Sequence, residues 1–225
     1  KNMISKELQK RILSSIILIP IAIYFIFQET LFFVFFLSIL FIASSYEWIK
    51  MNQNNFLKTF GVFYLFFAFI SAYLLREQFS LGLFVLILVI CIFTDLGGYI
   101  FGKILKGPKL VKISPKKTFA GAFGGFILSV VAALVYSKYT TYGSSTYLNL
   151  SIWTGLVLNK IYFLFILIIS FISQVGDLII SYFKRLAKVK NTGNLLPGHG
   201  GLLDRLDGIV FAMPISYLFL SYLRL

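Results

Sequence analysis

The chain has 225 residues, of which 59% are hydrophobic and only 13% charged, and its mean hydropathy is +0.89. Soluble domains carry about 25% charged residues, so this composition excludes an ordinary globular domain and indicates an all-α, polytopic helical membrane protein. The formal net charge of +13 gathers in short segments between apolar runs. It therefore reads as a topology signal and an attraction for anionic lipid head groups, not as a nucleic-acid footprint.

Seven apolar runs are each near the length that crosses a bilayer: roughly 12–28, 31–49, 59–75, 81–102, 120–137, 161–182 and 208–223. The first has basic flanks but no small-residue cleavage site, and reads as a span rather than a signal peptide. Pro20 and Pro214 fall inside runs, where bends are tolerated. Tyr46, Trp48, Tyr73, Tyr136, Trp153 and Tyr222 lie near run ends, as interfacial anchors do. With the N-terminus in the cytoplasm, the inner segments are 1–11, 50–58, 103–119 and 183–207. They hold 17 of the 21 Lys and Arg residues, leaving Arg76, Lys138, Lys160 and Arg224 outside. That asymmetry supports an odd number of spans and a multi-pass protein of the inner (cell) membrane facing the cytoplasm.

The first half, 1–78, carries little chemistry and reads as scaffold. Glu47, beside Trp48 and Lys50, is expected to be an interfacial carboxylate paired with a nearby base. The second half, 79–225, with its cytosolic loops 103–119 and 183–207, is the expected catalytic region. Cys91, the single cysteine, lies inside an apolar run and is expected to be core packing.

Asp95 opens the first informative stretch. A carboxylate inside a span is a candidate functional group, and Gly97 and Gly98 beside it permit close helix approach. A structural hydrogen bond between spans is the plainer alternative. Lys103, Lys106, Lys109 and Lys112 follow and satisfy the positive-inside rule without further role. The turn Ser114-Pro115-Lys116-Lys117-Thr118 is different, because proline and the hydroxyls would fix its lysines in place.

The richest stretch is 173–208. It holds three of the four aspartates and the only histidine. Asp177, Ser181 and Lys184 recur at helical spacing and share a face, which allows an ion pair from Asp177 to Lys184 or Arg185. His199 is bracketed by Gly198, Gly200 and Gly201, whose backbone can approach a ligand closely and present its N–H groups. Asp204 and Asp207 are three residues apart, on one face if the segment is helical.

Carboxylates without a second His or a neighbouring Cys favour a hard cation such as Mg²⁺, with Asp177, Asp204 and Asp207 as ligands, Asp95 a further candidate, and room for a second ion. Lys116, Lys117, Lys184, Arg185, Lys190 and Arg205 suit phosphate oxygens. These are parts for phosphoryl or nucleotidyl transfer. No Walker or Rossmann glycine pattern is present to hold a nucleotide.

The run Ser181-x-Phe183-Lys184-Arg185-x4-Lys190, then Leu196-Pro197-Gly198-His199-Gly200-Gly201 and Leu203-Asp204-Arg205-x-Asp207, resembles the C-terminal signature of the phosphatidate cytidylyltransferase (CDP-diacylglycerol synthase) family. Residues 94–121 resemble the family's Asp-x-Gly-x-Tyr…Ser-Pro-Lys-Lys-Thr region. The resemblance covers about a third of the chain. It implies condensation of CTP with phosphatidic acid, giving CDP-diacylglycerol and pyrophosphate, in a helical membrane protein that is often a homodimer. It also implies a division of labour. Asp177, Lys184, Arg185, His199, Asp204, Arg205 and Asp207 would be catalytic. Ser114, Lys116, Lys117, Thr118, Ser181, Lys190, Gly198, Gly200 and Gly201 would bind phosphates. Three positions depart from the family pattern: Leu96, Ala120 and Asn191, two of which replace carboxylates. Three other readings stay open: a CTP-dependent transferase for another lipid phosphate, a cation-coupled transporter, and an inactive scaffold.

Overall fold

In a computed structural model the described residues are 2–111, 114, 117–142, 160–198 and 200–223. His199, Lys116 and Trp153 lie outside them. The described chain is helical: α1 (Asn2–Phe27), α2 (Thr30–Met51), α3 (Asn55–Leu74) running into a π-helical turn (Leu75–Phe79), α4 (Leu81–Leu105), α5 (Phe119–Tyr142), α6 (Lys160–Leu186), the single turn α7 (Leu203–Leu206) and α8 (Ile209–Tyr222). Five stretches are long and apolar enough to cross a membrane: Thr30–Met51, Asn55–Phe79, Leu81–Leu105, Phe119–Tyr139 and Lys160–Leu186. Leu13–Phe27 and Ile209–Tyr222 are shorter apolar helices. The protein is thus a helical membrane protein, and Pro20 and Pro214 lie inside helices as expected.

Backbone contacts group the chain into two compact units whose bounds differ from the halves 1–78 and 79–225. One comprises 1–69 with 183–206, and the other 70–182 with 207–225. In the first unit, Trp48 is not the interfacial anchor its position suggests. It is buried, donates from Nε1 to the Leu57 carbonyl at 2.9 Å, and packs edge-on against Phe183 with ring centres 5.0 Å apart. The physical reason is Gly61, since any side chain there would overlap the indole.

The second unit has its core along α4, α6 and α8. Phe84, Ile87, Ile90, Phe165, Ile169 and Leu220 are fully buried or nearly so, and Cys91 is buried with them. What sets α4 against α5 is a seam of glycines. A Cβ on Gly97 would come within 2.9 Å of the Gly125 Cα, and one on Gly121 within 3.3 Å of the Gly102 Cα. Small residues let the two backbones approach closely enough for dispersion to hold helices where no hydrophobic effect drives them together. Gly98 is different, because its nearest neighbour would be the Gly121 carbonyl oxygen at 3.9 Å. The Gly97→Ala variant should therefore lower the thermal midpoint in detergent by several degrees, with overpacking costing about 1–3 kcal/mol. Gly98→Ala should leave that midpoint unchanged or raise it, because removing a glycine stiffens the unfolded chain. Equal midpoints for the two variants would show that the seam is not close-packed.

Candidate active site

The second unit builds its site at the start of α5. The connection from α4 to α5 folds back on itself. The amide of Leu110 donates to the Lys117 carbonyl at 2.8 Å, that of Phe119 to Pro108 at 3.1 Å, and that of Lys117 to Ser114 at 3.0 Å. Thr118 then caps α5, its hydroxyl accepting the Gly121 amide at 3.0 Å, as an N-cap side chain does. Backbone bonds to Leu110 and Ser114 and the Thr118 cap thus fix the backbone at Lys117, whose ammonium forms an ion pair with Asp177 of α6. One turn on, Ser181 donates to the same carboxylate at 3.3 Å. The expected sharing of a face by Asp177 and Ser181 is therefore observed. The partner of Asp177 is Lys117 rather than Lys184 or Arg185.

Lys117 and Asp177 line a cavity of about 300 Å³ whose wall also includes Asp95, Ser114, Thr118 and Gln174. Gln174, one of the polar residues that end the sixth apolar run, donates from its amide to the Ala122 carbonyl at 3.3 Å and ties α6 to α5 at the cavity's edge. Two carboxylates, one ammonium and several hydroxyl-bearing side chains around a cavity of this size match a phosphate group and a hard cation held by oxygen. Among the described residues no three His, Cys, Asp or Glu side chains form a ready metal cage. Asp95 and Asp177 are the carboxylates that open into the cavity.

Asp207 belongs to the same unit. It is buried, accepts the Gly208 amide at 2.9 Å, and follows the helical turn that ends at Leu206. A Cβ on Gly176, next to Asp177, would come 2.8 Å from the Asp207 carbonyl oxygen, so α6 and the start of α8 meet backbone to backbone there.

The first unit builds a second cluster from the basic segment 183–206. Lys184 reaches Asp204 at 2.7 Å. The other carboxylate oxygen of Asp204 accepts the amides of Thr192 at 2.9 Å and Gly201 at 3.1 Å. Leu196 and Gly200 exchange two backbone hydrogen bonds of 2.9 and 3.1 Å, closing a tight loop in which Gly198 (φ +77°) and Gly200 (φ +90°) both need the left-handed region. Arg185, Lys190 and Arg205 are exposed, with Arg185 donating to the Val189 carbonyl at 3.3 Å.

The residue that sequence reasoning misjudged is Glu47. It is 1% exposed, and among the described residues its carboxylate pairs with no base. One oxygen accepts the Thr192 hydroxyl and the Leu203 amide, both at 2.9 Å, and the other accepts the Leu202 amide at 3.0 Å. Lys50 turns away to lie over the Tyr46 ring, 5.7 Å from its centre. An acid so near a span's end beside a tryptophan was the available signal, but its partners lie some 150 residues away in the chain.

Residues 53–223 match the Cytidylyltransferase family. The chain belongs to that family. Phosphatidate cytidylyltransferase from Staphylococcus epidermidis is 34% identical over 180 residues, 78% of this chain and 64% of the relative. The protein of the same name from Brucella suis is 38% identical over 162 residues, 71% of this chain and 55% of the relative. The chain thus spans between about half and two thirds of the length of these relatives. The family match takes in both the Lys117–Asp177 cavity and the Asp204 loop, but omits all of α1 and α2, Glu47 included.

Proposed function

We propose that the protein transfers a cytidylyl group from CTP to phosphatidic acid, giving CDP-diacylglycerol and pyrophosphate. The single observation that carries this reading is the Lys117–Asp177 pair, set with Asp95 in one cavity at the capped end of α5, in a chain of the cytidylyltransferase family. The relatives named phosphatidate cytidylyltransferase supply the lipid substrate.

In this reading a phosphate oxygen of the lipid attacks the α-phosphorus of CTP. The bond to the bridging oxygen breaks, and its electrons leave with pyrophosphate. Phosphatidate is already an anionic nucleophile, so no strong general base is required. Lys117 neutralises phosphate oxygens, and the Thr118 cap and the backbone ladder around Ser114 keep it aimed. Preorganised charge of this kind stabilises a transition state without reorganisation during the reaction. Asp95 and Asp177 would hold Mg²⁺, which when bound supplies charge neutralisation between phosphates. Asp177 then keeps both Lys117 and the cation site in register. In the other unit, Arg185, Lys190 and Arg205 would attract anionic head groups and nucleotide from solution.

The proposal extends to topology and assembly. It places seven spans with a cytoplasmic N-terminus in the inner membrane, on the strength of the basic residues gathered in alternate loops, and it takes the homodimer from the family resemblance. A cation-coupled transporter fits less well, since its acids would gather near the bilayer midplane, whereas Thr118 and Lys117 mark a helix end.

The test is turnover of radiolabelled CTP by purified protein in phospholipid nanodiscs containing phosphatidic acid. Lipid-bound cytidine that forms with Mg²⁺ and vanishes with EDTA is the expected result. Folded protein that forms no such product would overturn the reading.

A further inference from the structure

Beyond Gln174, the same faces of α5 and α6 that line the Lys117 cavity go on to line a second, separate groove. On α5, Ala122 lines the cavity, and Phe126 and Val130 follow it along the same face at intervals of four. On α6, Gln174 lines the cavity, and Phe171 and Leu167 continue its face in the other direction. The hydrogen bond from Gln174 to the Ala122 carbonyl marks the changeover. On one side are Lys117, Asp177 and Asp95. On the other is a groove of about 640 Å³ lined entirely by aliphatic and phenylalanine side chains. It follows eight residue steps of each helix, from Phe123 on α5 and from Phe163 on α6, or about 12 Å at 1.5 Å per residue. The groove is open along its side, since Phe123, Phe163 and Phe171 are each more than half exposed.

We propose that this groove between α5 and α6 is an acyl-chain site, which seats one hydrocarbon tail of an anionic phospholipid while its phosphate lies in the Lys117 cavity. The argument is the join between the two. A polar cavity with an ion-paired ammonium is followed, one turn along both helices, by a purely apolar trough of tail-like length. That sequence of environments matches a phosphate monoester on a diacyl lipid and no part of a nucleotide. The open side lets a chain enter laterally from the bilayer, so the lipid need not leave the membrane to bind. The identity of the head group rests on the function proposed above, while the seating of the tail can be read independently of turnover.

The experiment uses the full chain in phosphatidylcholine nanodiscs with a phosphatidic acid probe carrying a diazirine midway along one acyl chain. The control probe carries the same chain on phosphatidylcholine. After irradiation, the labelled residues are mapped by mass spectrometry. The expected result is labelling of 123–131 and 163–171 several-fold above the phosphatidylcholine probe, abolished by excess unlabelled phosphatidic acid and reduced several-fold in Val130→Trp, which fills the trough. Equal labelling by both probes would mean ordinary lipid solvation and would overturn the site. So would cross-links between two copies through α5 with no phosphatidic-acid labelling, because a second protein molecule would then cover the groove. The CTP assay run in the same nanodiscs separates the two readings. Competed labelling without turnover keeps the groove and refutes the enzyme. Turnover without competed labelling refutes the groove alone.

Discussion

Asp177→Asn is expected to lower cytidylyl transfer on the order of 100-fold or more, the loss seen when one preorganised charge-stabilising group is removed from an active site. Folding should be affected little. Asparagine keeps the shape and an acceptor for the Ser181 hydroxyl, now 3.3 Å away, and the carboxylate is about one-quarter exposed. What it loses is the charge that orients Lys117 and that would hold a cation. Lys117→Met removes the other half of the pair and is expected to act on the same step. The double variant should therefore fall well short of the product of the two single losses, as coupled residues do. The measurement is the initial rate of CTP incorporation for the two single variants and the double, with the thermal midpoint of each as the control for folding. Near-normal turnover by Asp177→Asn in Mg²⁺ would remove the cavity from the chemistry, whatever the family of the chain.

Why this part of the site is legible in the sequence while the rest is not follows from the range of the interactions. The helical period of 3.6 places Asp177 and Ser181 on one face, and that is where they are. The turn residues around Lys117 announce a rigid connection, and Thr118 caps the next helix. The close approach signalled by Gly97 and Gly98 is real, although only Gly97 is tightly enclosed. All of these are local rules. Lys184 shows where such rules stop. Its spacing offers Asp177, one face and two turns away, but it is taken by Asp204, 20 residues on, which arrives from a loop closed by glycines at positive φ. Periodicity tells which way a side chain points, but not which segment will meet it.

Glu47→Ala is expected to be the most destabilising single change in the first unit. The carboxylate accepts from three donors of the 192–203 loop, at 2.9, 2.9 and 3.0 Å, in a place closed to water. Truncation would leave a hydroxyl and two amides unsatisfied at about 1–3 kcal/mol each, beside a void. A side chain on Gly193 or Gly201 would collide with the same carboxylate, so the loop is moulded around it. Glu47→Gln should recover part of the loss. Its amide oxygen can serve Thr192 and Leu203, but its NH₂ would face the Leu202 amide, donor against donor. The order wild type, Gln, Ala in thermal midpoint is the expected result, with hydrogen exchange at Leu202 and Leu203 accelerating in the same order. The neighbouring Asp204 holds the same loop through the amides of Thr192 and Gly201, so losing Glu47 should loosen the Lys184–Asp204 pair as well. If Glu47→Ala leaves exchange at 202 and 203 unchanged, the loop is held by Asp204 alone, and the buried acid at the end of α2 has some other purpose.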